Sequence, residues 1–458
     1  MLRPYQIDAV DQVRKLFAGG RSRVLLHLAT GGGKTHIFSY ILKNTTMDAI
    51  MIVRGRKLVD QASQRLIREK VPHGVLMANH WLHRPYERIQ VCSIDTLVAR
   101  KLKPKAKFIV VDEAHEATSE RYSEFINQYN AYLLGVTATP YSDKPLNKLF
   151  TDVVHPISIR ELIEQGYLVP PKYFCPPGAD TSQVKISRST KDFDSRELEK
   201  ACDTSTLVGD LVSHWRELAN GRPTICFAVS VNHSKHIVDT FNAAGIRAEH
   251  VEAETPDRER LEILKRVESG ETKIVSNVGI LCTGVDMPFV SCILMARPTK
   301  SYILYVQQLG RGTRACAGKE NFLVLDHADN VRRHGFIEDE MPADLEGKAQ
   351  RGISEVKICA ECYAAFKGRQ CPVCDKVVES EINRRVIEVV PGKLTEVSDI
   401  PLPQDLSNAL EFFSYLNEKA KRFGYKPGWV FFQMRDRFGE QVANEVCNKR
   451  RIPAWVRR

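Results

Sequence analysis

The chain has 458 residues, of which 43% are hydrophobic and 27% are charged, and its formal net charge at pH 7 is +10. This length exceeds one ordinary core and predicts two or three domains, and no apolar run approaches the roughly 20 residues of a membrane span, which argues against a membrane-spanning protein. The positive charge favours a polyanionic partner, most simply nucleic acid, with a solvated basic surface as the alternative.

Apolar runs alternate with helical patterns along residues 1–155 and again along 156–336, and this alternation predicts one parallel α/β sheet in each segment. The predicted strands lie at 24–28, 49–53, 89–92, 108–111 and 133–136, then at 224–228, 248–251, 273–276, 292–295 and 323–325. Residues 180–205 are polar without a clear period, which predicts an exposed insertion or a mobile segment.

The stretch from Val24 to Leu42 reads as a buried strand, a glycine-rich turn and a helix, which is the context of a phosphate-binding loop. Glycines let several backbone N–H groups point at phosphate oxygens near the positive end of a helix. The pattern has Leu28 where the strict signature has glycine, so it fits the Ala-x-x-Gly-x-Gly-Lys-Thr variant. A glycine-rich turn in a redox or dinucleotide fold is the alternative. The predicted ATP-binding residues are Thr30, Gly31, Gly32, Gly33, Lys34 and Thr35, with Lys34 on the β- and γ-phosphates and Thr35 in the Mg²⁺ shell.

Two adjacent carboxylates follow the apolar run 108–111, at the strand end where open α/β sheets bind ligands. We assign Asp112 to the metal and Glu113 to the attacking water. His115 is expected to couple parts of the site rather than to bind metal, because no second His or Cys stands at ligand spacing. The alternative is an ordinary solvated acidic loop.

Four of the twelve cysteines form two C-x-x-C pairs, while the other eight are scattered as in a protein with reduced thiols. The pairs Cys359/Cys362 and Cys371/Cys374 have the spacing of a tetrahedral zinc site, and four protein ligands predict a structural metal. A redox switch or two reduced thiol pairs are the alternatives. The basic and aromatic flanks of this module, predicted at 355–380, suit a docking surface for nucleic acid or protein, or a solvated scaffold.

The segment 400–458 predicts a small helical tail with a basic end. Its predicted apolar face consists of Val430, Phe431, Met434, Phe438 and Val442. Its basic end holds Lys449, Arg450, Arg451, Arg457 and Arg458 around Trp455. A stacking aromatic among cations suits a single strand or a fork, and a helix docked on the second lobe with a solvated terminus is the alternative.

The order of these motifs resembles that of superfamily 2 helicases of the DEAH type. Residues 31–35, 112–115 and 137–140 resemble motifs I, II and III, residues 275–286 resemble motif V, residues 307–314 resemble motif VI, and residues 3–6 resemble the segment that recognises adenine. The resemblance covers residues 1–335. The run Gly-Tyr-Leu-Val-Pro-Pro at 166–171 and the trailing cysteines are most similar to bacterial RadD-type DNA repair helicases and related phage helicases, although this chain is shorter and has one cysteine quartet.

The resemblance implies two tandem RecA-like lobes that hold MgATP between them. It implies that Arg311 and Arg314 act as arginine fingers, with surface arginines contacting nucleic-acid phosphates as the alternative. The other implied nucleotide contacts are Arg3 and Gln6 on adenine, Gln307 on the γ-phosphate or the attacking water, and Gly284 and Asp286 on the ribose or the lobe interface. Implied nucleic-acid contacts are Arg54, Ser93, Thr96 and Thr283, while His115, Thr137 and Thr139 would couple hydrolysis to movement.

These implications predict an ATP-dependent DNA helicase or translocase acting on single-stranded, forked or branched DNA in repair, recombination or replication. They place it in the cytoplasm of a bacterium or a phage-infected host, with a single-strand-binding or recombination protein as a further partner. DNA rather than RNA follows from the resemblance alone. The alternatives are a motor subunit of a restriction or defence complex, an RNA helicase, and a zinc-dependent adaptor that uses its lobes as a nucleotide-regulated clamp.

Overall fold

The computed structural model describes residues 2–140, 145–282, 285–339, 343, 345–346, 356–378, 406–423, 425 and 428–449. The chain divides into two units, residues 1–380 and residues 381–458. Across these described ranges, no helix combines the length and the apolar character needed to cross a membrane.

The first lobe is built on a sheet of seven parallel strands in the described residues. These strands are β1 (Arg23–His27), β2 (Ala49–Val53), β3 (Gly74–Leu76), β4 (Ile89–Ser93), β5 (Phe108–Asp112), β6 (Tyr132–Thr137) and β7 (Asp152–Val154). Their order is β3-β4-β2-β5-β6-β1-β7. The helices of this part are α1 (Pro4–Ala18), α2 (Lys34–Asn44), α3 (Arg56–Arg68), α4 (Ile94–Ala99) and α5 (Glu120–Asn127). The central strand β2 is apolar and buried along its whole length, and β5 is apolar and buried as far as Val111, as a sheet covered on both faces requires.

The second lobe is built on six parallel strands. They are β8 (Pro171–Phe174), β9 (Thr224–Phe227), β10 (Ala248–Val251), β11 (Ile274–Asn277), β12 (Cys292–Met295) and β13 (Phe322–Asp326). Their order is β10-β11-β9-β12-β13-β8. The helices here are α6 (Ile159–Glu164), α7 (Ser195–Cys202), α8 (Ser205–His214), α9 (Val231–Ala243), α10 (Asp257–Glu268), α11 (Tyr302–Leu309) and α12 (Asn330–His334). The prediction of two parallel α/β lobes is confirmed.

Residues 180–205 are mostly exposed, as predicted, and a few buried residues attach the segment to the second lobe. Phe193 and Leu198 are buried in a small apolar cluster with Val229, at the end of β9. The Asp192 carboxylate is also buried and accepts hydrogen bonds from the Thr299 hydroxyl and the Lys300 N–H, both at 2.7 Å. One carboxylate and a few separated apolar residues therefore hold this polar segment in place.

The four-cysteine module is a small hairpin that continues the second lobe. Its strands are β14 (Lys357–Ile358) and β15 (Ala365–Phe366), which pair antiparallel. Ala364 bridges to Phe174 on the edge strand β8, and the Cys175 N–H donates to the Tyr363 carbonyl at 2.7 Å. Cys359 and Cys371 are fully buried in the apolar cluster that contains Phe174. The hairpin therefore shares its core with the lobe.

The described residues of the second unit form the helix α13 (Leu406–Phe423) and the helical span α14 (Gly428–Lys449), which is kinked at Gly439, where φ is +82°. Their buried side chains include Phe413 and Leu416 on α13 and Val430, Phe431 and Met434 on α14, with Phe438 and Val442 partly buried. The predicted apolar face is therefore confirmed. The basic end beyond Lys449, with Arg450, Arg451, Trp455, Arg457 and Arg458, lies outside the described residues.

Candidate active site

The predicted phosphate loop occupies residues 28–33, between the end of β1 and the start of α2. Gly31 and Gly33 have φ angles of +84° and +83°, which side chains rarely adopt. Neither position has room for a side chain. At Gly33 an added Cβ would lie 2.4 Å from Gln6 Nε2, and at Gly31 it would lie 2.9 Å from Leu168 Cδ2. Helix α2 begins at Lys34, so the loop lies at the positive end of its dipole.

Asp112 is the last residue of β5, and Glu113 follows it. In the sheet, β6 lies between β5 and β1, so these carboxylates lie one strand away from the phosphate loop. Lys34 Nζ lies 3.4 Å from Glu113 Oε1. The Glu113 N–H donates to Asp112 Oδ1 at 3.0 Å, and Glu113 itself has a φ of +47°, a strained conformation for a residue with a side chain. The fold therefore brings the predicted base and the predicted phosphate-binding lysine into direct contact.

The pKa values of Asp112 and Glu113 shift in opposite directions because their surroundings differ. Burial and the neighbouring Glu113 carboxylate raise the pKa of Asp112 to about 6. Burial also acts to raise the pKa of Glu113, but the ammonium of Lys34, which also donates to the carboxylate, holds it below the ordinary value. Glu113 is therefore ionised at neutral pH, as a base that accepts a proton from water must be. Asp112 and Thr35 offer oxygen donors suited to Mg²⁺, which would neutralise phosphate charge beside them.

His115 connects the carboxylates to the residues of predicted motif III. Its Nδ1 lies 2.9 Å from the Thr137 hydroxyl and 3.2 Å from the Thr139 hydroxyl, and 3.5 Å from Glu113 Oε2. The Thr139 N–H donates to the Thr137 hydroxyl at 3.0 Å. Burial lowers the pKa of His115, so the ring is neutral and bonds as a polar group within this chain of contacts.

The predicted adenine-recognition segment is attached to the phosphate loop. Gln6 Nε2 donates to the Gly32 carbonyl at 3.1 Å, and the Tyr5 hydroxyl donates to the same carbonyl at 2.8 Å. Gln6 Oε1 accepts from the Arg3 N–H at 2.9 Å. Both polar atoms of the Gln6 amide therefore contact protein, an arrangement that motif order alone does not reveal.

The second lobe lies directly against the phosphate loop. Gly310 packs against Thr30, since a Cβ added to Gly310 would lie 2.6 Å from Thr30 Cβ. Arg314 packs against Gly31, since a Cβ added to Gly31 would lie 3.5 Å from Arg314 Cγ. Arg314 donates to the Val285 carbonyl at 3.3 Å and pairs with Asp286. The predicted Gln307 is half-buried on α11, one turn before this segment. Residues of predicted motifs I and VI are therefore neighbours.

Arg311 makes its contacts inside the second lobe. Its side chain is 5% exposed, and the guanidinium donates to the carbonyls of Cys282, at 2.9 Å from Nε, and Val285. Burial and the adjacent Arg314 lower its pKa to about 10, so it remains a cation. These carbonyls flank Thr283 and Gly284, and those two predicted contacts lie outside the described residues.

The remaining predicted nucleic-acid contacts lie near the carboxyl ends of neighbouring strands. Val53 and Ser93 are paired where β2 and β4 end, and the exposed Arg54 follows immediately, 3.7 Å from Glu116. Ser93 is buried and Thr96 is half-buried on α4. The fold thus brings Arg54 and Ser93 to one edge of the sheet, while Thr96 lies a turn further on.

The four predicted zinc ligands lie together. Their sulfur atoms are within 4.8 Å of one another, and three pairs are 3.4–3.6 Å apart. Tetrahedral zinc with thiolate ligands requires sulfur separations of about 3.8 Å, whereas a disulfide requires about 2.05 Å. The Cys362 N–H lowers the pKa of the Cys359 thiol to about 7, which favours the thiolate that binds metal. Cys359, Cys362, Cys371 and Cys374 therefore fit a structural zinc ion.

Loss of this metal is expected to destabilise the second lobe, because the hairpin and the lobe share one core. We predict that Cys371→Ser lowers the zinc content below one ion per chain and reduces the free energy of unfolding by about 2–4 kcal/mol. Metal analysis and thermal unfolding measure the two effects. The exposed Cys316 provides the control, since Cys316→Ser should alter neither. Purified protein without zinc, or an unchanged unfolding midpoint in Cys371→Ser, would contradict the assignment.

Two family profiles match the chain in this order. The profile described as "Type III restriction enzyme, res subunit" matches residues 1–142, and "Helicase conserved C-terminal domain" matches residues 205–316. They cover the two lobes that carry the geometry described above. The profiles and the two lobes together define the class of ATP-hydrolysing helicases. The chain belongs to helicase superfamily 2.

Relatives among known proteins come from phage, yeast and bacteria. The chain is 27% identical to the "51.5 kDa protein" of a Lactococcus phage over 75% of its own length and 76% of that protein. It is 28% identical to "Putative ATP-dependent helicase IRC3" of Saccharomyces cerevisiae over 71% of its length and 51% of that protein. It is 24% identical to the "Type I restriction enzyme EcoKI endonuclease subunit" of Escherichia coli over 76% of its length and 36% of that protein.

Solved structures share the fold. A fragment of a type I restriction enzyme HsdR subunit from Vibrio vulnificus aligns with 75% of this chain and 66% of that chain, at 20% identity and a TM-score of 0.58. The chain thus spans three-quarters of the phage relative, about half of the yeast relative and about a third of the restriction subunit.

Proposed function

We propose that this chain is an ATP-driven motor that moves along, or remodels, single-stranded, forked or branched DNA in repair, recombination or replication. The observation that carries the proposal is the contact between the predicted phosphate loop and the predicted arginine-finger segment, at Thr30 with Gly310 and Gly31 with Arg314. A nucleotide bound to one lobe would touch the other. Its binding and loss would therefore change how the lobes meet.

Residues of both lobes contribute to ATP hydrolysis. Lys34 neutralises the β- and γ-phosphates, and Glu113 takes a proton from the attacking water. Arg314 faces the phosphate loop from the second lobe and stabilises charge on the transferred phosphoryl group. Arg311 donates to the carbonyls of Cys282 and Val285, so it acts on the site by fixing the backbone at these two residues.

Neighbouring side chains would couple ATP hydrolysis to movement on DNA. Glu113 lies beside His115, His115 bonds Thr137 and Thr139, and Glu116 lies 3.7 Å from the exposed Arg54. The exposed Arg54 suits a phosphate contact that holds a strand without reading its sequence. The net charge of +10 supports an extended polyanion as substrate.

The experiment that tests movement is displacement of a roadblock. Streptavidin on the 3′ or the 5′ end of a single strand, and an annealed strand on a fork, are offered to the protein with ATP or with a non-hydrolysable analogue. The proposal predicts ATP-dependent release from at least one substrate, and release from one end only gives the direction. If neither streptavidin nor the annealed strand were released from any substrate while ATP was still hydrolysed, the proposal of a motor would be wrong.

A second candidate is a motor subunit of a restriction complex in a bacterial or phage-infected cell. The match to the EcoKI subunit favours it, although this chain spans 36% of that protein. Such a motor requires a methylation or cleavage partner, so stable co-purification with one from the native cell would support this reading. Autonomous displacement activity would instead favour a helicase of the RadD type.

A further inference from the structure

The loop at residues 77–88 follows the edge strand β3 and carries two exposed aromatic side chains, Trp81 and Tyr86. Their exposed fractions are 76% and 79%. Burial of an aromatic ring is one of the largest stabilising contributions that a side chain can make, and neither ring makes it here. A single exposed apolar residue is common on protein surfaces, so the neighbours of each ring decide whether it has a function.

The ring of Trp81 is held on a fixed support. It is stacked on the buried ring of His80, with the ring centres 5.8 Å apart and the planes inclined by 27°. His80 Nδ1 accepts from the Leu82 N–H at 3.1 Å, and its Nε2 lies 3.1 Å from Asp60 Oδ1 on α3. Leu82 is buried, and its carbonyl accepts from the Val75 N–H on β3 at 2.9 Å. Both chain neighbours of Trp81 are therefore anchored while its own ring faces solvent.

Trp81 lies at the same edge of the sheet as Arg54. The first part of the loop is attached to the start of α3, because Arg56 Nη2 donates to the Ala78 carbonyl at 3.1 Å. Helix α3 follows β2, and the strand order β3-β4-β2 places the ends of β3 and β2 about 10 Å apart. A short stretch of a DNA strand that contacts Arg54 would therefore reach Trp81.

Tyr86 lies towards the opposite edge of the sheet, because the loop runs back along β3. Gln90, the second residue of β4, donates from Nε2 to the carbonyls of Arg84 at 2.8 Å and Glu87 at 2.7 Å. Tyr86 stands between these two residues, near the strand starts. The same loop thus presents one aromatic ring beside Arg54 and a second, equally exposed ring away from it.

The charges around Trp81 favour nucleic acid over a protein partner. Arg54 and Arg56 are both exposed at this edge. The nearby carboxylates already have cationic or polar partners, since Asp60 contacts His80 and Glu116 lies 3.7 Å from Arg54. Sites that bind single strands combine cations, which hold phosphates, with aromatic faces, which hold bases.

We propose that Trp81 stacks on an unpaired base of the strand whose phosphates contact Arg54. The inference rests on the proposed function in one respect, that DNA lies along this edge of the first lobe. The indole accepts any base, because every base has a flat π-face. In a duplex each base is paired and stacked on its neighbours, so exposing a face to Trp81 would cost unstacking energy. Trp81 therefore makes the first lobe prefer single strands to duplex.

The test is equilibrium binding without ATP, followed by the anisotropy of labelled oligonucleotides. The wild type, Trp81→Ala and Trp81→Phe are titrated into an oligothymidylate, a duplex of the same length and a strand of the same length that lacks bases. Trp81→Ala should bind the oligothymidylate about tenfold more weakly, whereas Trp81→Phe keeps a ring and should lose less. Affinity for the duplex and for the abasic strand should not change, because neither offers a base to the ring.

Two further variants separate stacking from charge and from a general loss of aromatic surface. Tyr86→Ala should bind all three ligands as the wild type does. Arg54→Ala should weaken binding to the abasic strand as well and should make the affinity less dependent on salt, whereas Trp81→Ala should leave the salt dependence unchanged. Thermal unfolding checks that each variant is folded.

Three results would overturn the proposal. They are an unchanged affinity of Trp81→Ala for the oligothymidylate, which would leave Trp81 as a contact for a protein, an equal loss on the abasic strand, and an equal loss in Tyr86→Ala. The motor is tested separately by DNA-stimulated hydrolysis. A selective loss in Trp81→Ala in a protein whose ATP turnover ignores DNA would reject the motor and support the stacking site.

Discussion

Glu113→Gln is expected to reduce ATP turnover by about 10²–10⁴-fold while leaving ATP binding intact. The glutamine amide has the same size but accepts no proton from water, whereas the phosphate loop and Lys34 keep their positions. The 3.4 Å contact between Lys34 and Glu113 also loses its charge, which frees the lysine for phosphate. Steady-state hydrolysis measures the first effect, and nucleotide affinity measures the second.

The matched control for this variant is Glu124→Gln, because Glu124 is exposed on α5 away from the site. It should hydrolyse ATP at the wild-type rate. A Glu113→Gln protein that kept most of its activity would show that another group activates the water. A protein that lost ATP binding together with turnover would instead assign Glu113 a structural role in the loop.

Arg314→Ala is expected to lower kcat by about 10³-fold or more, with little change in the unfolding midpoint. Arg314 reaches the phosphate loop from the second lobe, and its contacts are the exposed carboxylate of Asp286 and one carbonyl. Arg311→Ala should differ, because it leaves the Cys282 carbonyl without its buried donor, whereas the Val285 carbonyl keeps its hydrogen bond from Arg314. Such a carbonyl costs about 1–3 kcal/mol, so Arg311→Ala should unfold at a lower temperature.

Single-turnover hydrolysis and thermal unfolding, measured on both variants, separate the two arginines. Arg258→Ala provides a surface control, since its side chain is 92% exposed on α10. If Arg314→Ala destabilised the protein as much as Arg311→Ala, the division of roles would be wrong. If only Arg311→Ala abolished ATP hydrolysis, and its unfolding midpoint were unchanged, then Arg311 would be the arginine finger.

Much of the fold could be predicted because parallel strands are buried on both faces and therefore appear as continuous apolar runs. Ala49–Val53 and Cys292–Met295 are predicted to the residue. The strands β3 and β7 were not predicted, since three residues are too few to form a recognisable run. The buried contacts that attach residues 180–205 to the second lobe were not predicted, because they depend on Asp192 and Phe193, which contact distant residues.

The candidate site divides in the same way. Lys34 and Glu113 lie in motifs that follow parallel strands, and such motifs lie at one edge of the sheet. Their proximity could therefore be predicted from the sequence. The different contacts of Arg311 and Arg314 could not, because they depend on the backbone carbonyls of Cys282 and Val285. The core that the cysteine hairpin shares with β8 could not be predicted either, because it depends on the backbone pairing of Phe174 with Ala364.

The rate of ATP hydrolysis with and without nucleic acid tests the central claim most directly. The wild type is measured alone and with saturating single-stranded, duplex or forked DNA, and with RNA. We predict a strong, saturable increase with DNA, largest on forks or single strands and absent in Glu113→Gln. A rate that no nucleic acid raises would contradict a DNA motor and would leave the lobes as a nucleotide-regulated clamp.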